Sequence, residues 1–86
     1  MGRFNDQRLL EIYLYGHTAG VPAHDCAVLR RKLKLLLSTA RWTGIGLIGD
    51  VFALENGRLA MMPTQNWGIS FLWWEGDGAF QMQLEP

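Results

Sequence analysis

The hydrophobic period of this chain changes near Ala40, and that change limits what it can fold into more than any other feature. Before it, apolar residues recur at helical spacing. Leu9, Leu10, Tyr13 and Leu14 share one side of a first segment, and Ala27, Leu29, Leu33, Leu36 and Leu37 form one stripe of a second. After it, short apolar pieces alternate with turn residues. At the end Phe80, Met82 and Leu84 alternate with Gln81, Gln83 and Glu85, the period of a strand with one wet face. Two periods kept in separate halves predict an α+β chain, with a helix hairpin packed on one face of a three- or four-stranded antiparallel sheet.

The punctuation sets the boundaries. Asn5 is the expected N-cap of a helix running to about residue 15, with Asp6 in its first turn. Gly16 and Gly20 bracket a turn, and Pro22 opens a second helix over residues 23–38. A loop this short pairs the two helices antiparallel. Strands are expected at residues 51–54, 58–62, 67–74 and 79–84, separated by Glu55-Asn56-Gly57, by residues 63–66 and by Glu75-Gly76-Asp77-Gly78. The expected core is Leu10, Leu14, Leu29, Leu33, Leu36, Ile69, Phe71, Phe80 and Met82. Trp73 and Trp74 are adjacent and must point to opposite faces, so one of them lies on the face away from the helices.

With 86 residues the chain is expected to form a single domain over 1–86. At 49% hydrophobic and 12% aromatic it has ample material for a core. Its apolar runs fall short of the ~20 residues of a spanning helix, so no membrane partner is expected. The opening MGRFNDQR carries no export signal, and Cys26 stands alone, which together suit a reducing cytoplasm. One cysteine and two separated histidines, His17 and His24, give no metal-ligand pattern, and no cofactor is expected. Formal charge is zero, from eight basic and eight acidic residues. Arg30, Arg31, Lys32 and Lys34 nevertheless cluster, either as a solvated helix face or as a contact for phosphate or an acidic partner. Gly44-Ile45-Gly46-Leu47-Ile48-Gly49 spells a nucleotide-loop pattern without the flanking strand and helix. Ser38, Ser70 and the histidines make no nucleophile signature, and Glu75 and Asp77 sit in a turn that favours Asp for local hydrogen bonding.

The stretches LRRKLKLL at 29–36, GRLAMMPTQNWGISF at 57–71 and WEGDGAFQMQLE at 74–85, in that order, carry a resemblance. The chain resembles the RelE/ParE toxin superfamily, and within it the HigB branch of plasmid maintenance killer proteins, from about residue 5 onward. The resemblance implies a RelE-like fold and the toxin role in a type II toxin–antitoxin module. It also implies a cognate antitoxin, of helix-turn-helix type, as partner. HigB and RelE types cut messenger RNA on the ribosome without a metal. The RNA's own 2′-hydroxyl attacks, while side chains on the sheet take and give protons and hold the phosphate. Ribosome and messenger are therefore implied partners, and a homodimer is left open. Carried onto this sequence, the resemblance assigns RNA or partner contact to Arg30, Arg31, Lys34, Arg58 and Trp67.

The same resemblance exposes departures. The residue after the strand's tryptophan is an arginine in the family and is Gly68 here. Leu59 and Met61 stand where relatives carry a basic side chain, and no Tyr, His or basic tail follows Leu84-Glu85-Pro86. Arg58 is left as the one weak catalytic candidate. Two functions follow: a HigB/RelE-type toxin with weakened or absent cleavage, or a noncatalytic protein-binding module of the same fold. An engineered Gly68 would account for one position; a relative without the chemistry accounts for all of them.

Overall fold

A computed structural model describes residues 3–41, 44 and 50–85. Two helices, α1 (Gln7–Tyr15) and α2 (Ala23–Leu37), precede four strands: β1 (Phe52–Ala53), β2 (Leu59–Met61), β3 (Gly68–Trp74) and β4 (Gly78–Glu85). The strands form one antiparallel sheet in sequence order, β1-β2-β3-β4. The expected α+β layout holds. The 44–49 glycine pattern lies, Gly44 apart, outside the described residues.

The N-cap of α1 is Asp6, one residue later than Asn5. The Asp6 carboxylate accepts from the Arg8 amide at 2.9 Å, which satisfies one of the unpaired donors of the first turn. It also accepts from the Leu84 amide of β4 at 3.1 Å, so the helix start and the sheet edge share one anchor. Asn5 instead joins that edge: its amide donates to the Met82 carbonyl at 2.8 Å, and the Met82 amide donates to the Arg3 carbonyl at 2.9 Å. Residues 3–5 thereby cover the middle of an edge that would otherwise offer free donors and acceptors.

The helix pair closes through Gly16, left-handed at φ +84°, which caps α1. Arg30 of α2 reaches across and donates from Nε to the Tyr13 carbonyl at 3.1 Å and from Nη2 to the Leu14 carbonyl at 3.5 Å. A cation on the last carbonyls also complements the negative end of the α1 dipole.

The core lies between this hairpin and one face of the sheet. Leu9 and Ile12 of α1 and Cys26, Leu29, Leu33 and Leu36 of α2 meet Met61, Ile69, Phe71, Ala79, Met82 and Leu84. The buried side of α1 is thus Leu9 and Ile12, not Leu10 and Leu14. Leu10 is half-buried, and Leu14 is 49% exposed. A stripe drawn from Leu9, Leu10, Tyr13 and Leu14 leaves out Ile12, which stands one turn after Leu9 on the inner side. Of the expected α2 stripe, Ala27 is exposed and Leu37 half-buried, while Cys26 is buried.

Phe80 is also displaced, by a β-bulge. Leu72 pairs with Phe80 but Ser70 pairs with Gln83, so Phe71 faces both Gln81 and Met82. One extra residue flips the alternation. Ala79, Met82 and Leu84 point at the helices, whereas Phe80, Gln83 and Glu85 share the other face and are half-buried. Gln81, at the bulge, has φ +50°, the one non-glycine with a positive φ among the described residues.

A candidate functional site on the open sheet face

Cross-strand partners share a face, so the registers define the side of the sheet away from the helices. It carries Phe52, Ala60, Gly68, Ser70, Leu72, Trp74, Phe80, Gln83 and Glu85. Leu59 and Met61 belong to the opposite face: Met61 is 2% exposed in the core and Leu59 packs against it. They are not part of any site on the open face, because the period of two turns them inward, and a basic side chain at 61 would have to enter the core.

Arg58 is the one Lys or Arg among the described residues of the sheet and its turns. It stands immediately before β2, after the Glu55-Asn56-Gly57 turn, where Leu54 N–H donates to the Arg58 carbonyl at 2.7 Å and Gly57 takes φ +85°. Its amide is fixed by the Asn56 side chain at 3.1 Å. Its guanidinium crosses the sheet. Nε donates to Ser70 Oγ of β3 at 3.2 Å, and Nη2 donates to the Gln81 carbonyl of β4. The cation therefore holds the carbonyl of the strained bulge residue.

Ser70, fully buried, passes the chain on and donates to Glu85 Oε2 at 2.6 Å. Gln83 Nε2 donates to the same oxygen at 3.0 Å, and Asn5 Nδ2 donates to Gln83 Oε1 at 3.1 Å. The hydrogen bond from Ser70, then that from Gln83, keep the Glu85 carboxyl below the ordinary carboxylate value; partial burial opposes them, and the Arg58 charge adds to the lowering. A carboxylate held in its ionised form by two donors is a weak base. The arrangement ties the start of β2 to β3 and β4.

Gly68, where the resemblance expects an arginine, lies on this face but is buried. A Cβ added there would run into the Met62 sulfur and lie 2.9 Å from the Met61 carbonyl oxygen. The absent side chain is the space that Met62 occupies. A longer residue at 68 does not simply project to solvent: Met62 must leave and the neighbouring backbone must give.

The remaining expected contacts fall elsewhere. Trp67 is half-buried against the core, and its amide donates to Thr64 Oγ1 at 2.9 Å, which makes it the anchor of the 63–66 turn. Arg30, Arg31 and Lys34 sit on α2, in the other layer. The residues expected from the sequence to make one contact set thus lie on two separate surfaces, and the polar network of the open face adds Ser70, Gln83 and Glu85, which were not among them. The signal that could have found them is Ser70, a small polar residue inside an apolar strand.

Near the hairpin end of the open face, Trp74 is 66% exposed, with Leu72 and Phe80 half-buried on the same face; Phe52 at the far edge is 46% exposed. Trp73 took the other side: its ring meets Phe71 edge-on at 6.5 Å. Among the described residues no group of three or more His, Cys, Asp or Glu could hold a metal ion, and no helix is long and apolar enough to cross a membrane. Compared with known proteins, the chain matches no protein-family model and no curated sequence.

Proposed function

We propose that this chain is a relative of the HigB/RelE toxins, the toxin-type component of a toxin–antitoxin module, whose open sheet face holds a protein partner and does not cut RNA. The observation that carries the reading is the engagement of Arg58. Cleavage beside a 2′-hydroxyl needs a group to take its proton, a group to protonate the leaving oxygen, and positive charge on the phosphate. On this face the charge is bonded to Ser70 and to the bulge carbonyl, and the nearest carboxylate, Glu85, is held ionised by Ser70 and Gln83. No His, Tyr or Lys stands among the described residues of the face. What it does present is apolar: an exposed Trp74 beside Leu72 and Phe80, the composition of a protein contact surface.

One observation favours a cleaving toxin instead. Nη1 of Arg58 makes no hydrogen bond among the described residues, and a phosphate oxygen could take it. Induced expression in cells separates the two. The non-cleaving reading expects messenger to stay intact at full expression, and expects Trp74→Glu to abolish any growth effect that a held partner causes. Growth arrest with cut messenger overturns it.

A further inference from the structure

The layer opposite the sheet carries a second surface. The outer side of α2 places Ala27, Arg31 and Lys34 at i, i+4 and i+7, and with Gly16 and Arg30 they line a depression of about 360 Å³. Arg30 forms its fixed wall, because its guanidinium is held by the Tyr13 and Leu14 carbonyls. Arg31 and Lys34 are exposed and make no ion pair among the described residues. The dipole of α2 accounts for Lys34, in the last turn, but not for Arg31. Leu14 and Tyr15 immediately precede Gly16 in the chain, and Leu35 follows Lys34 and stands one turn after Arg31; they are 49%, 66% and 42% exposed.

We infer that this groove docks an acidic, aliphatic segment of another protein, with carboxylates on Arg31 and Lys34 and apolar side chains against Leu14, Tyr15 and Leu35. Charge complementarity selects the occupant. Three cations gather where the groove lining contains no acid among the described residues, on a chain whose formal charge is zero. A nucleic acid would use the cations and leave the apolar flank in water, and a neutral chain gives it little long-range attraction. An amphipathic acidic segment satisfies both halves of the surface. This inference does not depend on the sheet-face reading, since the two surfaces lie on opposite layers.

The test is selection of binders from a random 16-residue peptide library on the intact protein, followed by calorimetric titration of the enriched peptide. Expected are peptides rich in Asp or Glu and Leu or Ile. Binding should weaken about tenfold or more in Arg31→Glu/Lys34→Glu and remain unchanged in Trp74→Ala. Both charge positions are exposed, so the thermal midpoint should hold; if the reversal unfolds the chain, Arg31→Gln/Lys34→Gln replaces it. Neutral or basic enriched sequences, no enrichment, or binding that survives the charge change overturns the inference. So does a 16-nucleotide RNA that binds more tightly than the peptide and is lost in the same variant.

Discussion

Gly68→Ala puts the explanation of that glycine at risk. The new methyl group removes some backbone freedom from the unfolded chain and improves strand propensity, together worth about 0.5–1 kcal/mol in its favour. Against it, Cβ lies 2.9 Å from the Met61 carbonyl oxygen and overlaps the Met62 sulfur. Overpacking of this kind costs about 1–3 kcal/mol, so the variant should be destabilised by about 1 kcal/mol. A chain of 86 residues has about 4–13 kcal/mol in all, so the loss is measurable. The sulfur belongs to a side chain that is 47% exposed and easily moved, whereas the carbonyl belongs to β2. In a Met62→Ala background the penalty should therefore shrink by about 0.5–1 kcal/mol and not vanish. Urea titration followed by tryptophan fluorescence reads all four corners of the cycle, provided the slope is shared. A Gly68→Ala protein more stable than the parent, or a penalty unchanged by removing Met62, would refute the packing account. Gly68→Arg should cost more, and a chain that carries it without loss would show that position 68 has room for a long side chain.

Leu33→Ala and Phe71→Ala, both at 0% exposure, should each cost about 2–5 kcal/mol, while Leu14→Ala should lie within about 0.5 kcal/mol of the parent; equal denaturation midpoints for Leu33→Ala and Leu14→Ala would contradict the helix register. Gln81→Gly should be neutral or gain up to about 1 kcal/mol, because it relieves a left-handed non-glycine; a clear loss of thermal stability would show that the Gln81 side chain matters more than its backbone. Asp6 is pulled upward by burial, but hydrogen bonds from the Arg8 side chain and from the Leu84 and Arg8 amides outweigh this and leave it below its ordinary 3.8, while Glu85 lies below its ordinary 4.5. A carboxyl lowered by folding binds fewer protons folded than unfolded, so its stability is complete above about pH 4.5 and is lost as pH falls through the folded values. Asp6→Asn and Ser70→Ala should each flatten that acid limb in denaturation profiles taken between pH 7 and 2.

The parts of the fold legible in the sequence were those encoded locally. The Asn56-Gly57 and Gly76-Asp77-Gly78 signals sit where the chain turns, and α2 begins after Pro22 as expected. The bulge was not legible, because a glutamine gives no sign that it will take φ +50°, and Phe80, on the other side of it from Met82 and Leu84, no longer shares their face. The polar network was hidden for a different reason: Arg58, Ser70 and Glu85 are 12 and 15 residues apart and meet only through strand register. The α2 cations were visible, but one of them, Arg30, is engaged in holding the end of α1, a role that depends on how the hairpin closes.

The central claim, a sheet face that holds a partner without cutting RNA, is tested most directly with purified protein added to ribosomes translating a defined messenger, with cleavage mapped by primer extension. The account predicts a messenger indistinguishable from the buffer control at protein in excess over ribosomes, since no acid–base pair stands beside Arg58 among the described residues. New 3′ ends in the ribosome-covered codon, lost in Arg58→Ala, would contradict it and return Arg58 to catalysis.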